Sequence, residues 1–75
     1  MTKEKVEENL ARLTPREREV LAKIMEGLLN KEIAYALGVS ERTVKAHRGQ
    51  IMEKMQTKSV VALTRMYLEA SFQKI

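Results

Sequence analysis

The nine residues "ALGVSERTV", Ala36 to Val44, decide most of what this chain can fold into. Sequence with a helical apolar period stands on both sides, and only Gly38, Val39 and Ser40 separate the halves. Two helices joined by so short a gap cannot continue in line. Glycine enters the left-handed backbone region without a steric penalty, so Gly38 ends one helix and turns the chain. Val39 is expected to be buried at the corner. The Ser40 hydroxyl caps the helix that follows. The product is a helix-turn-helix, whose two helices cross at about 90–120°. A ligand-free helical hairpin within a bundle is the other fold such a pattern permits.

The rest of the chain supplies partners for this pair. In "LTPRERE", Thr14 caps a helix, Pro15 suits its first turn and Glu17 completes a capping box. That helix is expected over residues 15 to about 26, with Val20, Leu21, Ile24 and Met25 in one apolar stripe that Leu28 extends. Gly27 takes the left-handed position after it. Asn30 is the expected cap of a short helix over 31–37, with Ile33, Ala34 and Leu37 inward. The small Ala34 lets the two helix backbones approach closely. From Ser40 a longer helix runs over 41 to about 55, with Val44, Ile51 and Met55 on one face. Thr57 and Ser59 offer a restart, and a last helix spans 60 to about 71, apolar around much of its circumference. Residues 2–12 are charged, with Val6 and Leu10 one helical turn apart, and form either a short N-terminal helix or a linker. The expected fold is all-α: a four-helix bundle over residues 13–75, with residues 1–12 as the linker or extra helix.

Composition agrees and narrows the chemistry. Aromatic residues make up 4% of the 75 residues, and the apolar content is mainly Leu, Val, Ala, Ile and Met, which favours helices over strands. A chain this short forms one domain with a thin core. It has no cysteine, hence no disulfide, thiolate metal site or cysteine nucleophile, and this suits a reducing cytoplasm. No apolar run approaches the roughly 18 residues that span a bilayer, and the charged N-terminus is no signal peptide. The formal charge of +4 leans towards nucleic acid or another acidic surface.

With Val44 at the centre of the buried face, a rotation of about 100° per residue turns Arg42, Lys45, Ala46 and Gly49 outward. A B-form major groove admits one α-helix, and the start of that helix meets the bases. Arginine and lysine reach guanine O6 and N7, and Ala46 suits a thymine methyl group. A glycine inside a helix costs about 1 kcal/mol relative to alanine, so Gly49 makes sense where the helix axis must come close to something. Groups suited to phosphate surround this face: the amides after Asn30, then Lys31, Ser40, Thr43 and Arg48, with Lys54 and Lys58 further along. Glu17 has two readings, the capping box and a pairing with a basic residue of the recognition helix such as Arg48. His47 has no second histidine, cysteine or acidic cluster beside it, so it is expected as a packed side chain and not a metal ligand. No carboxylate pair, nucleophile–base pair or glycine-rich phosphate loop is present, which leaves no basis for an enzyme and no cofactor.

The stretch "LTPREREVLAKIMEGLLNKEIAYALGVSERTVKAHRGQIMEKMQTKSVVALTRM", Leu13 to Met66, resembles the LuxR-type helix-turn-helix family, most closely the output domains of FixJ-like response regulators. "LTPRE", "NKEIA", "LGVS" followed by "RTVK", and the closing "I..KM" carry the resemblance. It implies four helices, with the helix over 41–55 in the major groove and the last helix in a dimer interface. By position, Lys45, Ala46 and Gly49 match base-facing sites, and Thr43 and Arg48 match backbone contacts. Relatives often carry a larger polar or basic side chain at the position of Gly49, which moves base reading towards Arg42 or Gln50. On the last helix, Val60, Leu63, Thr64 and Tyr67 are the expected dimer residues, with Tyr67 otherwise in the core. The implied partner is double-stranded DNA, bound by a homodimer, with RNA polymerase as a further partner and no membrane. Family members often attach an upstream regulatory domain, so this chain is expected as an isolated output module or a piece of a longer two-component regulator. A sigma-factor promoter-reading domain and a basic protein-interaction module are the alternatives.

Overall fold

The computed structural model describes residues 2–72, so Met1 and the last three residues of the expected 13–75 domain lie outside the described residues. Five helices follow in order: α1 (Lys3–Ala11), α2 (Pro15–Met25), α3 (Asn30–Leu37), α4 (Glu41–Lys54) and α5 (Val60–Phe72). Each begins or ends where local chemistry dictates. The Thr2 hydroxyl accepts from the Lys5 amide at 3.2 Å and starts α1. The N-terminal stretch is therefore a helix, Lys3–Ala11, and α1 packs on α5 with Val6 and Asn9 buried.

The capping box of α2 forms in full. Thr14 Oγ1 accepts from the Glu17 amide at 3.1 Å, and Glu17 Oε1 accepts from the Thr14 amide at 3.0 Å. Gly27 follows α2 with φ +83°, and Gly38 follows α3 with φ +69°, both left-handed. The cap of α3 differs from expectation. Leu29 occupies the cap position and Asn30 is the first helical residue. Leucine has no side-chain acceptor, so only half of the reciprocal arrangement is available, and Glu32 Oε1 accepts from the Leu29 amide at 2.7 Å. Glu32, at the third helical position, thus satisfies the cap residue's own amide, and no side chain among the described residues caps the amides of the first turn.

Ser40 caps α4, its Oγ accepting from the Thr43 amide at 3.1 Å. After α4, Gln56 has φ +57°, the left-handed conformation in a residue that rarely adopts it. Ser59 then starts α5, its Oγ accepting from the Ala62 amide at 3.2 Å. Val20 of α2, Ile33 of α3, Val44 and Ile51 of α4, Met55 behind α4 and Leu63 of α5 are completely buried and meet in one core. Val39 is only half-buried at the corner, packed against that core, and not the deeply buried pin expected of it. The main helix pairings put α4 across α2 and α3, so both supports of the recognition helix lie beneath it.

Candidate nucleic-acid interface

The inner side of α4 is anchored by Val44 and Ile51, both fully buried, and by Met55 just beyond its end. That anchoring fixes which side faces out. Arg42, Lys45, Ala46, Gly49 and Gln50 are all exposed, and a shallow depression lined by Gly49, Met52, Glu53, Gln56, Thr57 and Lys58 continues the strip. A Cβ added at Gly49 would meet nothing within 4 Å. The fold itself therefore makes no demand for glycine there.

The start of α4 is the more polar end. Ser40 Oγ and Thr43 Oγ1 lie 3.0 Å apart and share one hydrogen bond. Ser40 remains exposed and Thr43 half-buried, close to Arg42 and Lys45 in the first turns. Lys31 and Lys58 are exposed, whereas Asn30 and Arg48 are half-buried. His47 is also half-buried, and among the described residues no three His, Cys, Asp or Glu side chains gather where a metal ion would bind.

Lys54, expected to face phosphate, has an intramolecular partner. Its Nζ donates to Glu17 Oε1 at 2.7 Å, an ion pair in which the Glu17 side chain is only 6% exposed. Both readings of Glu17 hold together: it completes the capping box and it pairs with the recognition helix, through Lys54 and not Arg48. The Lys54 ammonium, then the Thr14 amide, hold the Glu17 carboxyl below its ordinary value against the opposing effect of burial, with a smaller contribution from His47. A wheel centred on Val44 puts residue 54 at one flank of α4, the one the ion pair joins to α2, and residue 48 on the other side of the buried centre. Position 54 was legible as a flank site; its partner was not.

On the last helix Leu63 is completely buried and so does not lie on an outer seam, whereas Tyr67 is half-buried against the core, the other place expected for it. The outward side of α5 carries Val60, Val61 and Leu68, which are 39%, 73% and 45% exposed, with Thr64, Arg65 and Glu69 around them. Helical spacing from Leu63 turns 61, 64, 65 and 68 outward. Because α5 is apolar nearly all round, its periodicity alone did not mark which side was in.

Comparison with known proteins places this geometry. The family described as bacterial regulatory proteins, luxR family, matches residues 11–67. The transcriptional regulatory protein FixJ of Rhizobium meliloti is 49% identical over 63 residues, covering 84% of this chain and 31% of that protein. The tetrathionate response regulatory protein TtrR of Salmonella typhimurium is 46% identical over 55 residues, covering 73% of this chain and 27% of that protein. The solved structure of full-length FixJ from B. japonicum superposes with a TM-score of 0.84 at 36% identity, covering 93% of this chain and 34% of that one. The response regulator StyR superposes with a TM-score of 0.85 at 39% identity, covering 88% of this chain and 33% of that one. This chain therefore spans about a third of the length of these relatives. Five helices, the left-handed turn at Gly38 and the matched residues agree: the chain belongs to the luxR family of bacterial regulatory proteins.

Proposed function

We propose that this chain is a sequence-specific, double-stranded DNA-binding output domain of a bacterial transcription regulator of the two-component type. The observation that carries this reading is the outward strip of α4. Arg42, Lys45, Ala46 and Gly49 are exposed on a helix whose opposite side is anchored by the fully buried Val44 and Ile51. A helix held that way enters a major groove as a rigid reader, and its role is binding with no catalytic step. Arg42 and Lys45 supply donors for guanine edges, and Ala46 an apolar contact for thymine. Lys31, Ser40, Thr43, Arg48 and Lys58 face phosphate, with the α3 amides that begin at Asn30, and release counterions on binding. Residues 13–75 form the DNA-binding domain, and α1 precedes it.

The exposed apolar strip of α5, Val60, Val61 and Leu68, with half-buried Thr64 beside it, supports two-fold pairing of two such domains on DNA. Relatives about three times as long support a further, regulatory domain outside this span, and a cytoplasmic setting with RNA polymerase as the downstream partner completes the proposal. Their names as transcriptional and response regulators favour this reading over a sigma-factor domain or a basic protein-interaction module. Selection from a random duplex pool tests the proposal directly. It is expected to return a short motif repeated with half-sites about one helical turn apart. Recovery of duplexes with no common motif would reject sequence-specific reading.

A further inference from the structure

We infer that Glu17 and Lys54 together form the positioning strut of the recognition helix, and that Lys54 serves DNA binding through Glu17 and not through a phosphate. The inference rests on the DNA-binding reading above. The start of α4 is already fixed by the Gly38 turn and the Ser40 cap. Its far end is anchored from beneath by buried Ile51 and Met55, and Lys54 adds a polar tie to α2. Lys54 is the last residue of α4, and its ammonium crosses 37 residues of sequence to reach Glu17 in the first turn of α2. Glu17 is itself immobilised, because the same Oε1 accepts from the Thr14 amide at 3.0 Å. The ion pair thus joins the end of one helix to the start of another, and α2 is one of the two helices packed against α4. The Glu17 side chain is 6% and the Lys54 side chain 24% exposed, so the pair is partly shielded from the solvent screening that weakens surface pairs.

The angle of α4 matters because side chains must meet base edges within a few tenths of an ångström, whereas phosphate contacts by flexible lysines tolerate more. Loosening one end of α4 should therefore damage specific binding more than non-specific binding. A lysine already neutralised by a carboxylate displaces no counterion from DNA, so its removal should leave the salt dependence unchanged.

The two possible roles of Lys54 predict opposite signs for Glu17→Gln. Glutamine preserves the capping box, since its carbonyl oxygen still accepts from the Thr14 amide. If Lys54 contacted phosphate, removing a competing carboxylate would tighten specific binding and steepen its salt dependence. If the pair is a strut, the ratio of specific to non-specific affinity should fall by about tenfold, comparable to losing one base contact.

The test uses the whole chain, a duplex selected from a random pool and an unrelated duplex of the same length, titrated across a salt series. Thermal melts confirm that each variant is folded at the assay temperature. Glu17→Gln and Lys54→Gln should each lose about tenfold in the affinity ratio, with the Lys54→Gln salt slope equal to that of wild type. Lys54→Arg keeps the ion pair and should restore the ratio. A Lys54→Gln slope shallower by about 0.9 would identify a phosphate contact and overturn the strut while leaving DNA binding intact. An unchanged ratio in folded variants, or tighter binding by Glu17→Gln, would also overturn it. Should Lys54→Gln fail to fold, Glu17→Gln and Lys54→Arg still decide the matter. A wild-type chain that binds neither duplex removes both the strut and the function it serves.

Discussion

Replacing Gly49 by alanine separates the demands of the fold from those of a bound duplex. Gly49 lies in the interior of α4, nine residues into a fourteen-residue helix. There glycine costs about 0.8–1 kcal/mol relative to alanine, because its backbone loses more freedom on folding. The added methyl group would meet nothing within 4 Å, so no steric cost offsets that gain. Gly49→Ala should therefore stabilise the free domain by about 1 kcal/mol, which for a domain of this size raises Tm by roughly 4–8 °C. The effect on DNA should have the opposite sign. The methyl group projects from the exposed strip into the space that a groove wall would occupy, between Lys45 and Ala46 on one side and Glu53 on the other. If the helix axis approaches closely, the variant must tilt or stand off, and specific affinity should fall by about 1–2 kcal/mol, or roughly 5- to 30-fold. Thermal melts and mobility shifts on one selected duplex read the two effects separately. A more stable variant with unchanged affinity would refute the close approach and leave Gly49 as a tolerated exposed glycine. A less stable variant would refute the stability argument itself.

Lys45→Ala should cost about 1–3 kcal/mol on the selected site and relax preference at one base position, read by competition with single-base variants of that site. Lys31→Ala should weaken all duplexes alike and make the slope of log affinity against log salt shallower by about 0.9. Val61→Glu should leave the melting temperature of the isolated domain nearly unchanged, since Val61 is 73% exposed, yet sedimentation on a duplex with two half-sites should show single copies binding independently where the proposed pairing has wild type bind two together. Acid should weaken the fold through Glu17. Its carboxyl sits below the ordinary 4.5, so it contributes stability above that value and loses it as pH falls through its lower folded value. In melts taken from about pH 6 down to pH 3, Glu17→Gln should lose less stability than wild type, and parallel curves would deny the linkage.

The parts of this fold that can be read from sequence are those written in neighbouring residues. The Thr14–Glu17 box, the left-handed glycines at 27 and 38 and the Ser40 cap each depend on a few consecutive side chains competing for the same backbone groups, and each stands where those residues predict. The α3 start shows the limit of that logic. Asn30 is a better intrinsic cap than Leu29, but Glu32 satisfies the Leu29 amide and the helix begins one residue earlier. The outer strip of α4 is legible for a second reason: Val44, Ile51 and Met55 are widely spaced apolar residues in a polar helix, so one side is marked without ambiguity. In α5 the same method fails, because apolar residues occupy most of the wheel and only tertiary packing on α1 selects Leu63 and Ala70 for the inside. Lys54 illustrates the remaining difficulty. Its spacing along α4 permits either phosphate or α2, and the choice is made by a carboxylate 37 residues away that local sequence had already assigned to a cap. A side chain that satisfies a local rule can still hold a lone pair for a distant partner, so residues with apparently complete local roles are where long-range polar contacts in small helical domains should be sought.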